Sequence, residues 1–455
     1  MTTDLVIVGA GPAGLSAATE AAAQGLSVVL LDENDGPGGR IWQALESRGA
    51  MNAEDAAALT VIRQFRACGA AAHWGATVWA IEPDGTVFWS RQCAAHATRS
   101  RYVLLATGAT ERPLPVACWT LPGVMTVGAA QIALKTGGLV PDANTWIAGQ
   151  GPLLLLYTVQ ALRAGGRIGG ILDLSDPAAR WRAGRHLPAA ALRFGGDLWK
   201  GLRWRQEIRR AGIQWLRASD LRADGDGRLQ RIRFRTAGGM REEAADLLLL
   251  HDGVIPSMQI PRAVGCPQEW NHAQHCWQPV TDPWGATSIP GMFVAGDGGG
   301  IRGAEAARAS GRIATLGIAH ACGKISARTR DEAAASPRAT LARLASLRGF
   351  LDHLYPPLPI RLKDATLVCR CEEVSAGQIR CAATLGCRGL NQLKAYTRCG
   401  MGPCQGRMCG TTAAEVLAEV HGVPVGEVEP FRARFPTKPL VVGELAALEQ
   451  MAEHR

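Results

Sequence analysis

The sequence predicts an α/β protein with two strand–turn–helix units in parallel sheets and a small helical module near its C-terminal end. Three observations predict it. A glycine turn follows an apolar strand at residues 4–14, and the same pattern returns at residues 144–173. Seven of the 13 cysteines fall between Cys369 and Cys409. With 455 residues and a prior of ~150 per domain, about three domains are expected.

Composition excludes several classes. Apolar residues at 47% and charged residues at 20% describe an ordinary globular chain. The net charge of +9 comes almost entirely from arginine, scattered along the chain and locally dense only between Arg180 and Arg210. No compact basic face with a recognisable module stands out, so no nucleic-acid partner is expected. The longest apolar stretch, around Pro152–Leu162, is too short to span a bilayer, so no transmembrane segment is expected. Met1–Asp4 has no basic n-region, which predicts a chain without a signal peptide and a cytoplasmic location. Thirteen cysteines in that compartment stay reduced, and a dense group of them points to metal or redox chemistry.

The first element is the strand Asp4–Val8, followed by Gly9-Ala10-Gly11-Pro12-Ala13-Gly14 and a helix over Leu15–Ala23. A second strand, Val28–Leu31, ends at Asp32-Glu33. Gly9 permits the tight turn, Gly11 lets the backbone approach a pyrophosphate, and Gly14 lets helix and strand pack closely. The anion rests on the helix N-terminus, and Asp32 is placed to accept hydrogen bonds from a ribose. This strand context makes residues 4–33 a dinucleotide site.

Three further segments follow the same logic: Asp35-Gly36-Pro37-Gly38-Gly39-Arg40, the strand and turn Tyr102–Gly108, and Gly291–Asp297 with the helix start Gly303–Gly311. Together they resemble the FAD signatures of two-dinucleotide-binding flavoproteins, in which the Gly-Asp carboxylate, here Asp297, contacts the ribityl chain. The resemblance implies FAD, held by Gly9, Gly11, Pro12, Ala13, Gly14, Asp32, Glu33, Gly39, Arg40, Val78, Ala106, Thr107, Gly108, Gly296, Asp297 and Gly303. It places the FAD domain in two pieces, residues 1–117 and 280–325.

Between the halves, residues 118–279 form an inserted NAD-like domain. Its strand Asn144–Ala148 leads into Gly149-Gln150-Gly151-Pro152-Leu153-Leu154 and the helix Leu155–Ala164; the strand Ile168–Leu172 then reaches Asp173. Leu154 stands where the third glycine belongs, and its side chain is expected to push the helix from the sheet and weaken nucleotide binding. A retained fold that packs against a partner, or holds some nucleotide other than nicotinamide, is the favoured reading there. No Cys-x-x-Cys occurs anywhere, which argues against thiol–disulfide exchange. Cys68, Cys93, Cys118, Cys266, Cys276 and Cys322 read as isolated structural thiols, and His251, His272 and His275 as surface or core residues.

Residues 326–364 read as a connector stiffened by Pro356-Pro357-Leu358-Pro359. In residues 365–425, Cys369-Arg370-Cys371 precedes Ser375-Ala376-Gly377-Gln378, whose spacing is that of a capping box starting a helix to about Leu385. A short helix fits Gly389–Tyr396, and a third opens at Thr412-Ala413-Ala414-Glu415 and closes at Gly422. Cys369, Cys371, Cys404 and Cys409 give four thiolates, which suit a [2Fe–2S] cluster or structural zinc; the Cys-x-Cys pair favours iron–sulfur. Cys399 could exchange for one of them. Residues 426–455 form a tail, a candidate partner contact.

The segment Val368–Gly410 resembles a bacterioferritin-associated-ferredoxin-type [2Fe–2S] domain. With Ala106–Pro113 and Trp119–Met125, nearly the whole chain resembles the FAD-containing alpha subunit of heteromeric dye-linked amine dehydrogenases, a group that includes opine oxidase, hydroxyproline or proline dehydrogenase and hydrogen cyanide synthase. The resemblance implies one component of an oxidoreductase for CH–NH donors, with FAD, a cluster on Cys369, Cys371, Cys404 and Cys409, and in some members an interface FMN. The partner it implies is a D-amino-acid-oxidase-like flavin subunit, joined in some cases by a small ferredoxin-like subunit. An external quinone or dye is the implied acceptor, and partners could bring the complex to a membrane. Substrate chemistry then lies on the partner, and no residue of this chain is assigned a catalytic role. A self-contained NAD(P)H:acceptor oxidoreductase is the alternative, and a zinc-held docking module without redox function is a third reading.

Overall fold

The computed structural model describes residues 3–142, 144–185 and 187–453. The aliphatic strand Thr3–Val8 lies parallel between Val28–Asp32 and Ala94–Leu105, with Ile7 opposite Leu30 on one side and Leu104 on the other. Leu5, Val6 and Ile7 are fully buried, as expected of a strand covered on both faces. Ala71–Trp74 adds a parallel edge, and Met292–Val294 joins Ala94–Leu105 from far along the chain. The other half of the long strand Ala94–Leu105 turns into an antiparallel meander with Thr86–Arg91 and Thr77–Ile81.

Helix Pro12–Ala23 packs against helix Ala304–Ala321 through small residues. A Cβ at Gly311 would overlap the backbone of Ala13, and Thr315 Oγ1 donates to Ala17 O at 3.3 Å. The approach that seats the first glycine turn therefore requires glycine at 311.

The second sheet is parallel, in the order Gln214–Arg217, Gly170–Asp173, Thr145–Gln150, Leu247–Asp252, Val124–Thr126. Two short strands, Ala109–Glu111 and Val254–Pro256, pair antiparallel where the chain leaves and re-enters the first fold. The insert's own sheet thus ends at Asp252, earlier than residue 279. Beyond it Ile260, Val264 and Cys266 pack with Val6, Val8 and Val294 in the first fold's core. Leu154, expected to force helix and sheet apart, is instead buried in the insert's core with Ile147 and Val159, so the helix Pro152–Arg163 keeps its place.

Residues 326–364 are more ordered than a connector. Ser326 caps a 28-residue helix, Ala327–Leu354, accepting from Thr329 N at 3.1 Å. Alanine and arginine are strong helix formers, and that composition outweighs the internal Pro337. The C-terminal module has helices Ala376–Thr384, Leu390–Thr397 and Gly410–His421, with the Ser375–Gln378 capping box formed. Its core closes on the Phe431 ring, which lies against Gly400 and Gly406; both have positive φ, and any side chain there would strike the ring. The tail, expected as a partner contact, turns back on its own chain over residues 431–440: Thr437 N donates to Trp79 O at 2.9 Å.

Gly311→Ala should lower stability by about 1–3 kcal/mol, because overpacking forces two helices apart. Gly201→Ala, in helix Leu187–Arg210 with open space around it, should raise stability by up to about 1 kcal/mol. Urea midpoints that shift in the same direction for both would contradict this account.

Candidate functional site

The first glycine turn is built for close approach. Gly9 has φ +106°, and a Cβ on it would overlap Ala106 O; a Cβ on Gly14 would overlap Gly9 O. Around Gly11 the space is open, where an anion would meet the N-terminus of helix Pro12–Ala23. Pro12 at the first position removes an N–H that the helix could not use. Gly39 arches over this turn against Gly11, Gly296 lies on Ala13, and Gly298 faces Thr107 and Gly108. Gly9, Gly11, Pro12, Ala13, Gly14, Gly39, Ala106, Thr107, Gly108 and Gly296 thus come together, and this cradle fits a dinucleotide pyrophosphate. Asp297 Oδ1 accepts from Arg302 N at 2.8 Å and Gly303 N at 2.9 Å, fixing the loop that starts the helix. Val78 lies in the core beside Val8 and Leu31.

The two acids behave differently. Asp32 is buried and accepts from Ala10 N, from Asn34 N at 2.8 Å and from Asn34 Nδ2 at 2.6 Å. Burial outweighs these bonds and pushes its pKa up. Glu33 is open, paired with Lys438 at 2.6 Å and Arg40 at 3.5 Å. Partial burial would raise Glu33, but Lys438, Arg40 and Arg407 hold it below the usual range. Lys135, from the insert, donates to Ile41 O at 3.0 Å, and burial brings its pKa down to about 8.

The second turn is closed by the chain itself. Gly149 lies on His251 O, and Gln150 Nε2 donates to Asp252 Oδ1 at 3.0 Å and to Pro356 O at 2.5 Å. Leu358 N donates to Asp252 at 3.2 Å. The cavity between Gly149, Gly151, Asp173, Trp215 and Tyr355 measures about 20 Å³, room for about one water. His251, expected as a core or surface residue, is buried with Nδ1 2.5 Å from Glu111 Oε1, and Glu111 Oε2 accepts from Gly128 N at 2.8 Å.

Five thiols gather in the C-terminal module. The sulfurs of Cys369, Cys399 and Cys409 all lie within 4.8 Å of one another and all three residues are buried. Cys371 and Cys404, the other two expected ligands, are hydrogen-bonding neighbours beside them. Cys399 therefore stands with the four expected ligands. Cys381 is exposed, and Cys387 is buried with its thiol toward Gly389 O. Hydrogen bonds from Cys399 and Cys409, then from the Gly400 and Glu372 amides, hold Cys369 at about 2, while its thiolate pushes Cys409 up. A thiolate shared among sulfur neighbours is the donor set of a thiophilic metal or iron–sulfur centre.

The centre touches the first fold. Ser257 N donates to Gly108 O at 3.0 Å, and two residues on, Gln259 Nε2 donates to both Cys404 O and Gln405 O at 3.0 Å. Trp119 Nε1 donates to Leu367 O at 2.7 Å, with Arg370 over its ring. Behind this junction lies a buried polar group: Arg112 Nη2 donates to Gln274 O at 2.6 Å, and Arg112 Nε stands 3.8 Å from Asp252. Glu415 is half-buried near them, with its Oε2 enclosed. Burial, with Asp252 adding and Arg112 opposing, raises its pKa to about 7. Gln259 and Glu415 carried no spacing signal, although Glu415 sits in the apolar run Thr412–Leu417, which a helical count could have flagged as buried.

Comparison with known proteins agrees with this architecture. Residues 3–156 match the pyridine nucleotide-disulphide oxidoreductase family and residues 363–449 match the sarcosine oxidase A3 domain. The chain is 41% identical over 456 residues to an opine oxidase subunit of Rhizobium meliloti, covering 98% of each. It is 32% identical to the HcnB subunit of hydrogen cyanide synthase of Pseudomonas aeruginosa, covering 96% of each. The fold is shared with L-proline dehydrogenase from P. horikoshii at a TM-score of 0.72 and 19% identity, over 98% of this chain and 79% of that one.

The raised pKa of Glu415 gives a signed pH dependence. The folded chain binds this proton more tightly than the unfolded chain, so its contribution is complete below about pH 4.5 and is lost as pH rises to about 7. Glu415→Gln should therefore gain on the wild type with rising pH, by about 3 kcal/mol at pH 8 relative to pH 4. Urea unfolding of both proteins at the two pH values checks it; an unchanged difference refutes it.

Proposed function

The chain belongs to the same family as this opine oxidase subunit and HcnB, and from that premise we propose that it relays electrons within a heteromeric amine dehydrogenase. The donor is a D-amino-acid-oxidase-like flavin subunit that oxidises the CH–NH bond of an opine, D-amino acid or hydroxyproline-type substrate. The acceptor is an external quinone or dye.

One observation carries the reading: Gln259 links the segment beside Gly108 directly to the carbonyls of Cys404 and Gln405. A dinucleotide cradle and a thiol centre are thus neighbours in one chain. FAD would be held by the Gly9–Gly14 turn with Gly39, Ala106–Gly108 and Gly296–Gly303, and Glu33, exposed and ion-paired while Asp32 serves the loop, would meet the ribose. A [2Fe–2S] cluster would be held by four of the five thiols. When bound, FAD exchanges electrons in pairs or singly and a [2Fe–2S] centre exchanges them singly, which is the chemistry a relay requires. The chain's residues supply the placement. Gln259 fixes the Cys404 loop, the amides of Gly400 and Glu372 point at Cys369, and the Phe431 ring shields the loop from water. The nicotinamide alternative needs room at Gly149–Gly151, where Tyr355 and Pro356 stand.

The isolated, iron-loaded chain should release FAD on denaturation and give a [2Fe–2S] electron paramagnetic resonance (EPR) signal after dithionite reduction. Cys409→Ser should abolish that signal and leave the FAD content unchanged. The chain alone should reduce no dye with opines, D-amino acids or hydroxyproline, and NADH or NADPH should not bleach its flavin anaerobically within seconds. Turnover by the chain alone would refute the relay, as would bleaching by either nicotinamide. A colourless metal and no visible band once flavin is removed would favour the zinc-held docking module.

A further inference from the structure

We propose that the surface formed by Cys371, Met401 and Pro403 is the electron port of the thiol centre, the face on which the partner flavin subunit docks; this rests on the relay reading above. The centre has two unlike sides. Its inner side is fixed to the first fold through Gln259 and, at the start of the module, through Trp119 and Leu367. On the other side, Cys371 is exposed, in contrast to the buried Cys369, Cys399 and Cys409. Gly402 packs flat on Cys371, 3.3 Å from its sulfur at the Cβ position, and any side chain there would overlap Cys371 Cβ. That packing brings the 401–403 loop against the thiol and leaves Met401 50% exposed beside it.

An exposed methionine bordered by charges of both signs is the composition of a small protein contact, with an adaptable apolar centre and a polar rim. Glu372 Oε1 lies 3.4 Å from the Gly402 Cβ position, and Arg398, whose carbonyl accepts from Met401 N at 2.9 Å, pairs with Glu372 at 2.8 Å. The occupant is the electron donor, because the inner side already faces this chain's own nucleotide turn. Each crossing moves one electron from the donor's reduced flavin to the centre. Two crossings would carry the pair taken from the substrate C–H bond, the centre passing the first electron to the flavin of this chain before it takes the second, and the protons left on the donor's flavin would leave through the donor subunit.

The test uses the full chain carrying FAD and its cluster, reduced anaerobically, and reads EPR power saturation with a soluble dysprosium chelate as probe. The chelate speeds relaxation of a centre close to the surface. Wild type should show strong enhancement, Met401→Trp should reduce it at least twofold, and Met51→Trp, an exposed methionine on the first fold, should leave it unchanged. In the complex isolated with its flavin subunit, the wild-type enhancement should also fall at least twofold. Separately, Met401→Glu should slow reoxidation by ferricyanide several-fold at low ionic strength, and salt should remove the effect. Equal enhancement in wild type and Met401→Trp would overturn the port, and enhancement undiminished in the complex would overturn the docking. Absence of any cluster signal in wild type would overturn the relay reading itself.

Discussion

Gln259 reaches out of the first fold and donates both amide hydrogens to the carbonyls of Cys404 and Gln405, and the relation between nucleotide turn and thiol centre depends on that contact. It acts at both ends. On one side Ser257 is hydrogen-bonded to Gly108, so the Gln259 backbone is set by the same strand end that faces the glycine turn. On the other, Gln405 donates to Pro436 O at 2.6 Å, which ties the cysteine loop to the returning tail. The tail carries Lys438 to Glu33. A closed circuit of contacts results: turn, Ser257–Gln259, cysteine loop, tail, and back to the acid beside the turn. Loosening any one contact would shift the distance between the two sites, on which the proposed relay depends.

The inserted fold takes a different part. Its glycine turn is geometrically intact, with Gly149 at φ +138° against His251 O, yet the chain's own Tyr355–Leu358 segment lies across it. The seal uses polar groups that would otherwise be free to meet a ligand, Gln150 and Asp252. Arg112 Nε and Nη1 and Glu415 Oε2 stay buried without hydrogen-bond partners beside this seal. The buried Arg112–Asp252 pair adds little net stability but penalises other arrangements, because separating the two incompletely would leave either charge buried without the other. Glu415 of helix Gly410–His421 lies within electrostatic reach of Arg112 and Asp252.

How much of this is legible in the sequence follows from the range of the interactions involved. The Gly9–Gly14 turn and the Ser375–Gln378 capping box are local patterns with local causes, and both are readable at their residues. The choice between Asp32 and Glu33 is not. Only the fold shows that Asp32 is taken up by Ala10 and Asn34, contacts 22 and two residues away in sequence. Leu154 misleads for a related reason: a third glycine is needed only where the helix crosses tightly against the strand, and here the core of the insert accommodates the side chain. The closing prolines of the segment after residue 326 suggest a connector, while its alanines and arginines determine a helix. Gln259 has no motif because its partners are main-chain carbonyls about 145 residues downstream.

The arrangement of thiols has a consequence for the ligand set. Spacing alone favours Cys369, Cys371, Cys404 and Cys409, yet Cys399 shares a tight group with Cys369 and Cys409, its sulfur 3.9 Å from that of Cys409. Were the proposed four-ligand cluster bound, the fifth thiol would be able to hydrogen-bond to a coordinated sulfur, a bond that raises the reduction potential of an iron–sulfur centre. Burial separates the candidates. Cys399 is fully enclosed beside Gly400, where a thiol donor is protected from oxidation, whereas Cys371 is at the surface, where an uncoordinated thiol would be open to it. On the proposed cluster, coordination by Cys371 with Cys399 as the inner hydrogen-bond donor would therefore leave no reactive thiol at the face proposed for docking.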